Sequence, residues 1–346
     1  MTPARIPAFT GTPARVHPRV AEIESLCLAW MCDMGLLSGP GQREAAAKAR
    51  LCAWACHFYP YADFGYGLLV ARWWAWWTYL DDLALKLGYQ AWLELSGDME
   101  RVFWRGGGIS APSSGPSPLR QALAALGDLC RRTAELSGPG LYELIAVGGC
   151  DALSGFTVEA FSRHIHRTPG IDLALSPGCE YLRTHRKTIG MIIDTAWIEG
   201  AAGFKVPEAV RCTPAWQDAL ETAYDVMILQ NDLNGFARDH AAGDPYNAVC
   251  LLHQQHGLTV ADAAAHVRQV LGTRIGQFLQ LEQAFPAAIE HLPLTGNDIG
   301  QTADILAKLK TGSQGVLAWY QATTRYDIPL PAAPANKPSQ PSPVQV

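Results

Sequence analysis

The sequence has little charge for its length, and what charge it has is not basic. Charged residues make up 17% of 346 residues, and the net charge at pH 7 is −5. Nucleic-acid-binding proteins need a clustered positive surface to meet the phosphate backbone. We therefore predict no nucleic-acid partner. A chain with 49% hydrophobic residues and so few charges must instead bury a large core to stay soluble.

Long uninterrupted apolar runs are also missing. The longest apolar stretch, residues 67–80, is broken by Arg72, whereas a helix needs roughly 20 apolar residues to cross a bilayer. The first 20 residues are rich in proline and contain no continuous apolar segment of the kind found in signal peptides. We predict a cytoplasmic protein without a membrane span.

No CxxC pair occurs among the nine cysteines. An odd number of cysteines cannot all pair within one chain, and reduced thiols are the rule in the cytosol. Cys52 and Cys56 are spaced for one helix face, but no second Cys or His pair follows at zinc spacing. Buried reduced thiols are therefore predicted, and a zinc site is a minor alternative.

Strand signals are almost absent, while apolar residues recur every three or four positions, as on the buried face of a helix. Proline-rich ends predict disordered tails at residues 1–17 and 329–346, around one all-α domain at residues 18–328. The Gly-, Pro- and Ser-rich residues 105–118 predict a surface loop. Helices are predicted near residues 19–36, 41–56, 64–87, 117–136, 139–165, 176–199, 207–240, 259–285 and 298–324.

Two adjacent carboxylates, Asp81 and Asp82, follow the aromatic run WWAWWTYL. Asp is a poor helix former, and near apolar surface it is costly unless it is paired or bound to a metal. A solvated helix end is the ordinary explanation of an isolated Asp pair. The alternative is a site for Mg²⁺, which prefers carboxylate oxygens and water.

A second polar group, NDLNGFARD, occupies residues 231–239. Helical geometry places Asn231, Gly235 and Asp239 on one face, with Arg238 close to it. An amide oxygen, a carboxylate and a cation on that face suit Mg²⁺ beside an anionic ligand. An ordinary polar helix face is the competing explanation.

Residues 183–187 place four potentially basic side chains before an apolar helix. Arg binds diphosphate oxygens through paired, charge-assisted hydrogen bonds. A diphosphate is therefore one explanation of this run, and a solvated helix start is the other. The aromatic segment from Trp319 to Tyr326, near the end of the last helix, says little by itself.

Taken in order, these segments resemble the bacterial class I terpene synthases. The acidic motif of that family follows an aromatic stretch, as Asp81 and Asp82 do. Its second metal motif has the form NDxxSxxxE, which residues 231–239 resemble. The resemblance covers roughly residues 20 to 327.

Two further matches strengthen the resemblance. The family's diphosphate-sensing Arg lies in a basic run that ends in Thr-x-Gly, and Arg186 falls 45 residues before Asn231 with Gly190 closing the run. The family's terminal Arg-Tyr pair matches Arg325 and Tyr326.

The sequence departs from the family at both metal motifs. The third acid expected after Asp81 and Asp82 is missing, and the continuation reaches Lys86 instead. Gly235 stands where the family has Ser or Thr, and a water is expected to fill the space left by the missing hydroxyl. Asp239 replaces Glu and is one methylene shorter. The departures indicate weaker metal binding or lost activity.

The resemblance implies a class I terpenoid synthase fold, an antiparallel helical bundle around a deep apolar pocket. It implies Mg²⁺, three ions in number, at positions Asp81, Asp82, Asn231, Gly235 and Asp239. It implies a diphosphate held by Arg186, Arg238, Arg325 and Tyr326. Trp77 and Trp319 would face the carbocation, with Trp73 and Trp76 left to core packing, and Gly190 would break a helix so that a carbonyl points at the cation.

The implied partner is a linear isoprenyl diphosphate, with farnesyl diphosphate favoured and geranyl or geranylgeranyl diphosphate open; a homodimer is also possible. One alternative is an isoprenyl chain-elongating transferase, although that family has two motifs with several acids each. Another is a non-catalytic isoprenoid-binding protein on a degenerate cyclase fold, suggested by the missing acid and Gly235. A helical scaffold without a pocket is a third.

Overall fold

The computed structural model describes residues 6–107 and 117–327, and the chain is helical in these ranges, with no strand. The all-α prediction is confirmed. The helices are α1 (Val20–Asp33), α2 (Pro40–Lys48), α3 (Ala53–Phe58), α4 (Phe64–Ala84), α5 (Tyr89–Trp104), α6 (Ser117–Ser137) and α7 (Pro139–His164). They continue with α8 (Glu180–Thr188), α9 (Met191–Ala202), α10 (Glu208–Arg211), α11 (Pro214–Ala242), α12 (Ala248–His256), α13 (Val260–Ile289) and α14 (Gly296–Ala322).

The helices pack around one hydrophobic core in which α4 and α7 are central. Helix α7 lies close to α8 and α9 because it carries glycines at the contacts. A Cβ at Gly148 would overlap the backbone of Ile193, and a Cβ at Gly155 would lie 2.7 Å from Cβ of Lys187. Small residues at helix contacts let the neighbouring backbones approach closely, so these two glycines fix where α8 and α9 lie.

Helix α7 is also the one helix in the described ranges that is long and apolar enough to cross a membrane. Of its most apolar window, 56% is buried inside the protein. A core helix passes the same test of length and composition, because its apolar side chains face other helices rather than lipid.

Several boundaries differ from the sequence-based prediction. Helix α5 was not predicted, although Trp92, Leu95, Met99 and Phe103 form the spaced apolar face that buries it. The predicted helix at 176–199 is two helices, α8 and α9, because Gly190 adopts a left-handed conformation with φ +86° between them. Glycine carries no Cβ and tolerates that conformation.

Within the tail predicted to be disordered at residues 1–17, the structure buries two side chains, Phe9 and His17, and leaves most of residues 10–16 exposed. Phe9 is 3% exposed, and its ring meets Phe278 edge-on at 5.5 Å between centroids. His17 is buried, and its backbone N–H donates to the carbonyl of Cys56. The tail predicted at residues 329–346, and residues 108–116 of the predicted loop, lie outside the described residues.

The cysteines are all free, and five of them are buried: Cys27, Cys52, Cys56, Cys130 and Cys250. No group of three or more metal-binding side chains forms around Cys52 and Cys56 or elsewhere in the part of the chain that the structure describes. The zinc alternative is therefore not supported.

The packing of Phe9 predicts a loss of stability on truncation. Phe9→Ala should lower the free energy of unfolding by about 3 kcal/mol, since the ring leaves a cavity against Phe278. Urea denaturation followed by circular dichroism measures this change. Val16→Ala, at a position 44% exposed in the same segment, should be nearly neutral. Equal stability of the Phe9→Ala variant and the wild type would mean that the segment does not pack as described.

Candidate active site

A cavity opens where the C-terminal end of α4 faces α11 and the residues that follow α14. Its wall combines acidic, basic and aromatic side chains. Its lining residues are Leu51, Trp54, Trp74, Trp77, Thr78, Asp81, Glu159, His185, Thr188, Ile189, Asn231, Arg238, Asp239, Asp244, Tyr246, Trp319, Tyr320, Arg325 and Tyr326. Eight of the twelve residues singled out from the sequence line it: Trp77, Asp81, Asn231, Arg238, Asp239, Trp319, Arg325 and Tyr326.

The two carboxylates of the acidic pair have different surroundings. Asp81 lines the cavity, and within the described ranges its carboxylate makes no hydrogen bond or ion pair. Burial raises the pKa of Asp81 to about 6, while Arg238 acts in the opposite direction. Asp81 therefore offers carboxylate oxygens that no cation or hydrogen-bond donor of the described chain contacts.

Asp82 does not line the cavity but is paired with two arginines. Its carboxylate accepts from Arg325 at 3.0 and 3.4 Å, and Arg238 donates to the same carboxylate. The Asp82 carboxylate thus positions the two guanidinium groups at the cavity. Both of its oxygens contact guanidinium groups and neither faces the cavity, so its role as a metal ligand stays a prediction.

The polar face of α11 is held from several sides. The amide nitrogen of Asn231 donates to the hydroxyl of Tyr320 at 2.8 Å. Asp239 accepts from the amide nitrogen of Asn247 at 3.0 Å, and Asn247 itself caps α12 and is fully buried. Sequence reasoning missed the role of Asn247, although an Asn directly before an apolar helical run is a typical N-cap residue.

The space beside Gly235 is occupied by protein atoms. A Cβ at this position would lie 3.0 Å from Oδ2 of Asp239 and 3.6 Å from Cε1 of Tyr326. The space that was expected to hold a water beside Gly235 is therefore narrowed by the Asp239 carboxylate and the Tyr326 ring. Gly235 has no side-chain oxygen, and its contribution is to let the Asp239 carboxylate and the Tyr326 ring lie against the backbone of α11.

Two further acids, which the sequence analysis did not select, line the cavity: Glu159 on α7 and Asp244 after α11. Glu159 is 7% exposed and accepts from the hydroxyl of Thr188 at 3.0 Å. Burial raises its pKa to about 8, and the neighbouring charges of Asp244 and Asp81 add to the rise. Glu159 could have been suspected because it is an acid within an apolar helix.

These donors fit a hard divalent cation. Asp81, Asp239, Asp244 and Glu159 place carboxyl oxygens around one cavity. Burial together with repulsion from neighbouring acids raises the pKa of Asp81, Asp239 and Glu159. A divalent cation would relieve that repulsion, and oxygen ligands are what Mg²⁺ prefers. No three acidic, His or Cys side chains in the described ranges are close enough to hold a metal alone. A ligand with its own oxygens would have to complete the coordination.

Arg186 lies outside the cavity, contrary to the expectation from its spacing. Its guanidinium is 5% exposed and donates to Asp225 at 2.8 and 3.0 Å, with Glu221 at 2.8 Å. Asp225 is a fully buried carboxylate on α11 and needs a cation beside it. The neighbouring residue on α8, His185, faces the cavity instead, because consecutive helical residues point about 100° apart.

The helix break expected at Gly190 is present, but the groups that reach the cavity come from just before it. Thr188 and Ile189 line the cavity, whereas Gly190 does not. The carbonyl of Gly190 accepts from the backbone N–H of Asp194 and so belongs to α9. The carbonyl of Thr188 accepts from the indole nitrogen of Trp77 at 3.1 Å. The break therefore orients Trp77, and Gly190 acts through its conformation.

The aromatic part of the wall consists of four tryptophans together with Tyr246, Tyr320 and Tyr326. Trp77 and Trp319 were selected from the sequence, and Trp54 and Trp74 join them. Trp54 and Trp74 lie 3.6 Å apart between ring centroids. Four π faces in one cavity can attract a cation.

The other tryptophans of the run before Asp81 are core residues. Trp73 donates to Thr133, and Trp76 donates to the carbonyl of Ala122. Both rings are fully buried and outside the cavity. Core packing is therefore confirmed for this pair.

Comparisons with known proteins agree with this geometry. A family model described as "Terpene synthase family 2, C-terminal metal binding" matches residues 72–277, more than half of the chain. Pentalenene synthase from Streptomyces arenae is 26% identical over 329 residues, which cover 91% of this chain and 90% of that protein. A shorter match, 24% identical over 115 residues, covers 33% of this chain and 34% of an enzyme from Streptomyces viridochromogenes. That enzyme is named 7-epi-alpha-eudesmol synthase, (2E,6E)-farnesyl diphosphate cyclizing.

A solved structure has a similar fold. It is linalool/nerolidol synthase from Streptomyces clavuligerus in complex with 2-fluorogeranyl diphosphate, with a TM-score of 0.76 and 22% identity. The alignment covers 88% of this chain and all of that one. At this identity the likeness shows the shared fold.

The position of Arg186 predicts a stability defect. Arg186→Ala should lower the free energy of unfolding by about 3 kcal/mol, because Asp225 would lose its principal cation in a buried site. Urea denaturation measures this, and calorimetry should show unchanged binding of inorganic diphosphate in the presence of Mg²⁺. Asp225→Asn should destabilise the protein in the same direction.

Arg183→Ala is the matched control, since Arg183 is an exposed cation on the same helix. It should leave stability unchanged. An Arg186→Ala variant of normal stability that no longer binds diphosphate would restore Arg186 as a diphosphate ligand and contradict its structural role.

Proposed function

We propose farnesyl diphosphate as the substrate of this chain, which belongs to terpene synthase family 2 and is a class I terpene synthase. Such an enzyme releases diphosphate from a linear isoprenyl diphosphate and converts the resulting carbocation into a terpene. The observation that carries the proposal is one cavity that brings four acidic side chains and two arginines together beside four tryptophans. The family match argues against a chain-elongating transferase. A non-catalytic binding protein on the same fold is the alternative that measured turnover excludes.

The metal in this proposal is Mg²⁺, three ions in number, held by Asp81, Asn231 and Asp239 together with the substrate. When bound there, Mg²⁺ supplies a Lewis acid that stabilises negative charge on the departing diphosphate. The open set of protein ligands supports this arrangement, because Mg²⁺ is commonly bound by one or two carboxylates plus substrate phosphates. Asp244, which lines the same cavity, would add negative charge that helps to attract the cations.

Diphosphate recognition is assigned to Arg238, Arg325 and Tyr326. In the structure both guanidinium groups are paired with Asp82. Phosphate oxygens would accept from the same donors, so the arginines can meet the diphosphate without being reoriented from solvent. The positive charge would stabilise the leaving group, where negative charge develops in the transition state.

The carbocation would be held between the tryptophan faces. Trp77 is 6% exposed and Trp319 is 3% exposed, and each has its indole nitrogen satisfied by a backbone carbonyl. Their π faces are therefore fixed, and no free N–H of these two rings is left to meet the cation. A desolvated cation–π contact contributes roughly 2 kcal/mol.

Chain length is the least constrained part of the proposal. A relative named for cyclising (2E,6E)-farnesyl diphosphate supports a fifteen-carbon substrate. A structural neighbour in complex with 2-fluorogeranyl diphosphate supports a ten-carbon one. We favour the fifteen-carbon substrate because one of the sequence relatives is named for cyclising farnesyl diphosphate, whereas the structural neighbour shows only the shared fold. The free thiols fit a cytoplasmic location, and a homodimer stays a prediction.

The direct test is incubation of the purified protein with each diphosphate and Mg²⁺, followed by gas chromatography and mass spectrometry. Farnesyl diphosphate should be turned over fastest, to a hydrocarbon or alcohol, and EDTA should stop the reaction. Addition of isopentenyl diphosphate should not yield longer diphosphates. Faster turnover of geranyl or geranylgeranyl diphosphate would overturn the substrate, and activity that persists in EDTA would overturn the metal.

The crowded position of Gly235 gives a sharper test of metal binding. Gly235→Ala and Gly235→Ser both force Oδ2 of Asp239 to move by a few tenths of an ångström, but only Ser adds an oxygen. Calorimetry with Mg²⁺ and inorganic diphosphate should show weaker metal binding for Ala, by several fold, and recovery for Ser. Equal losses in both variants would mean that no metal ligand is missing at this position.

A further inference from the structure

The amide of Asn231 is held by one side chain from the facing helix. Its nitrogen donates to the hydroxyl oxygen of Tyr320 at 2.8 Å, and both residues line the cavity. An amide group has a donor side and an acceptor side that differ only by a rotation. Whichever group contacts the amide therefore decides which atom faces the cavity.

A cation can be bound by only one of the two sides. The amide oxygen offers lone pairs, whereas the amide nitrogen presents two hydrogens that would repel a positive ion. With the nitrogen committed to Tyr320, the oxygen is free for a ligand. A carboxylate such as Asp81 needs no partner of this kind, because its two oxygens are equivalent.

Tyr320 is a well-fixed point from which to hold an amide. Its ring lies 5.4 Å from that of Trp319 and 5.2 Å from that of Tyr326, between centroids. Trp319 donates to the carbonyl of Arg50 at 2.9 Å, and Thr323 donates to the carbonyl of Ala49 at 2.5 Å. The end of α14 is thus tied to the residues between α2 and α3.

A second contact fixes the register between α14 and α11. Ser313 donates to the side-chain oxygen of Gln230 at 3.0 Å, beside the Asn231 contact. Ser313 and Tyr320 are two turns apart on one face of α14. Two neighbouring residues of α11 therefore meet two aligned residues of α14.

We propose that Tyr320 is a positioning residue that orients the Asn231 amide so that its oxygen faces the divalent cation. This inference rests on the proposed function, in which Asn231 is a metal ligand. Tyr320 touches neither the substrate nor the metal in this role. It decides which side of the Asn231 amide faces the cavity. Mutation of a hydrogen-bond partner of a metal ligand typically lowers metal affinity by about 10–100-fold.

The test is Tyr320→Phe, which keeps the ring and removes the hydroxyl. Titration of Mg²⁺ into protein that contains inorganic diphosphate, followed by calorimetry, should show metal affinity about tenfold weaker than in the wild type. Tyr61→Phe is the matched control, since its hydroxyl is also buried, has no hydrogen-bond partner in the described ranges and lies outside the cavity. That variant should bind Mg²⁺ as the wild type does.

A double-mutant comparison separates orientation from general packing. In Asn231→Asp the ligand has two equivalent oxygens, so adding Tyr320→Phe should cost little further affinity. An equal tenfold loss in that background, or unchanged affinity in Tyr320→Phe alone, would overturn the positioning role. A wild-type protein that binds no Mg²⁺ with diphosphate would overturn the proposed function and this inference together.

Discussion

The arrangement of the site depends on buried acids whose charge the protein compensates only in part. In the described ranges Asp81 has no ion pair, while Asp239 and Glu159 each meet one arginine at 3.7 Å. Asp81, Asp239, Asp244 and Glu159 surround one cavity, and burial together with mutual repulsion raises the pKa of Asp81 and Asp239 to about 6 and that of Glu159 to about 8. Most buried charges in proteins are paired. A cavity that gathers several acids with so little compensating charge is therefore suited to cations, and the metal-dependent chemistry proposed here uses that property.

The same cavity also presents two positive groups, which complement the acidic side chains. Arg238 and Arg325 are held by Asp82, a carboxylate that lies just outside the lining. The adjacent acids of the pair thus have different tasks, one facing the cavity and one holding arginines. The hydroxyl of Tyr320, the amide of Asn247 and the close approach allowed by Gly235 arrange the α11 face. Ionisation would occur at this polar end, and the tryptophans would receive the organic cation.

Much of the fold and the polar residues of the cavity were predictable from the sequence, because helical periodicity and motif order depend on local spacing. The misses have physical causes. Arg186 was chosen by spacing along the chain, but a buried carboxylate on another helix, Asp225, attracts its side chain. Glu159 and Trp54 belong to no sequence motif, and only tertiary packing brings them to the cavity. Residues 6–17 looked too rich in proline to pack, yet one ring, Phe9, anchors them to the core.

The side chains that the protein offers to Mg²⁺ form an incomplete coordination set, which the phosphate oxygens of the substrate complete. Isothermal titration calorimetry tests this coordination directly. The wild-type protein is titrated with Mg²⁺ alone, with inorganic diphosphate alone and with both together. Binding linkage is reciprocal, so each ligand should strengthen the other by the same factor. Each ligand alone should bind weakly, and the two together should bind much more tightly. Binding of Mg²⁺ that is as tight without diphosphate as with it would show that the protein's own ligands suffice.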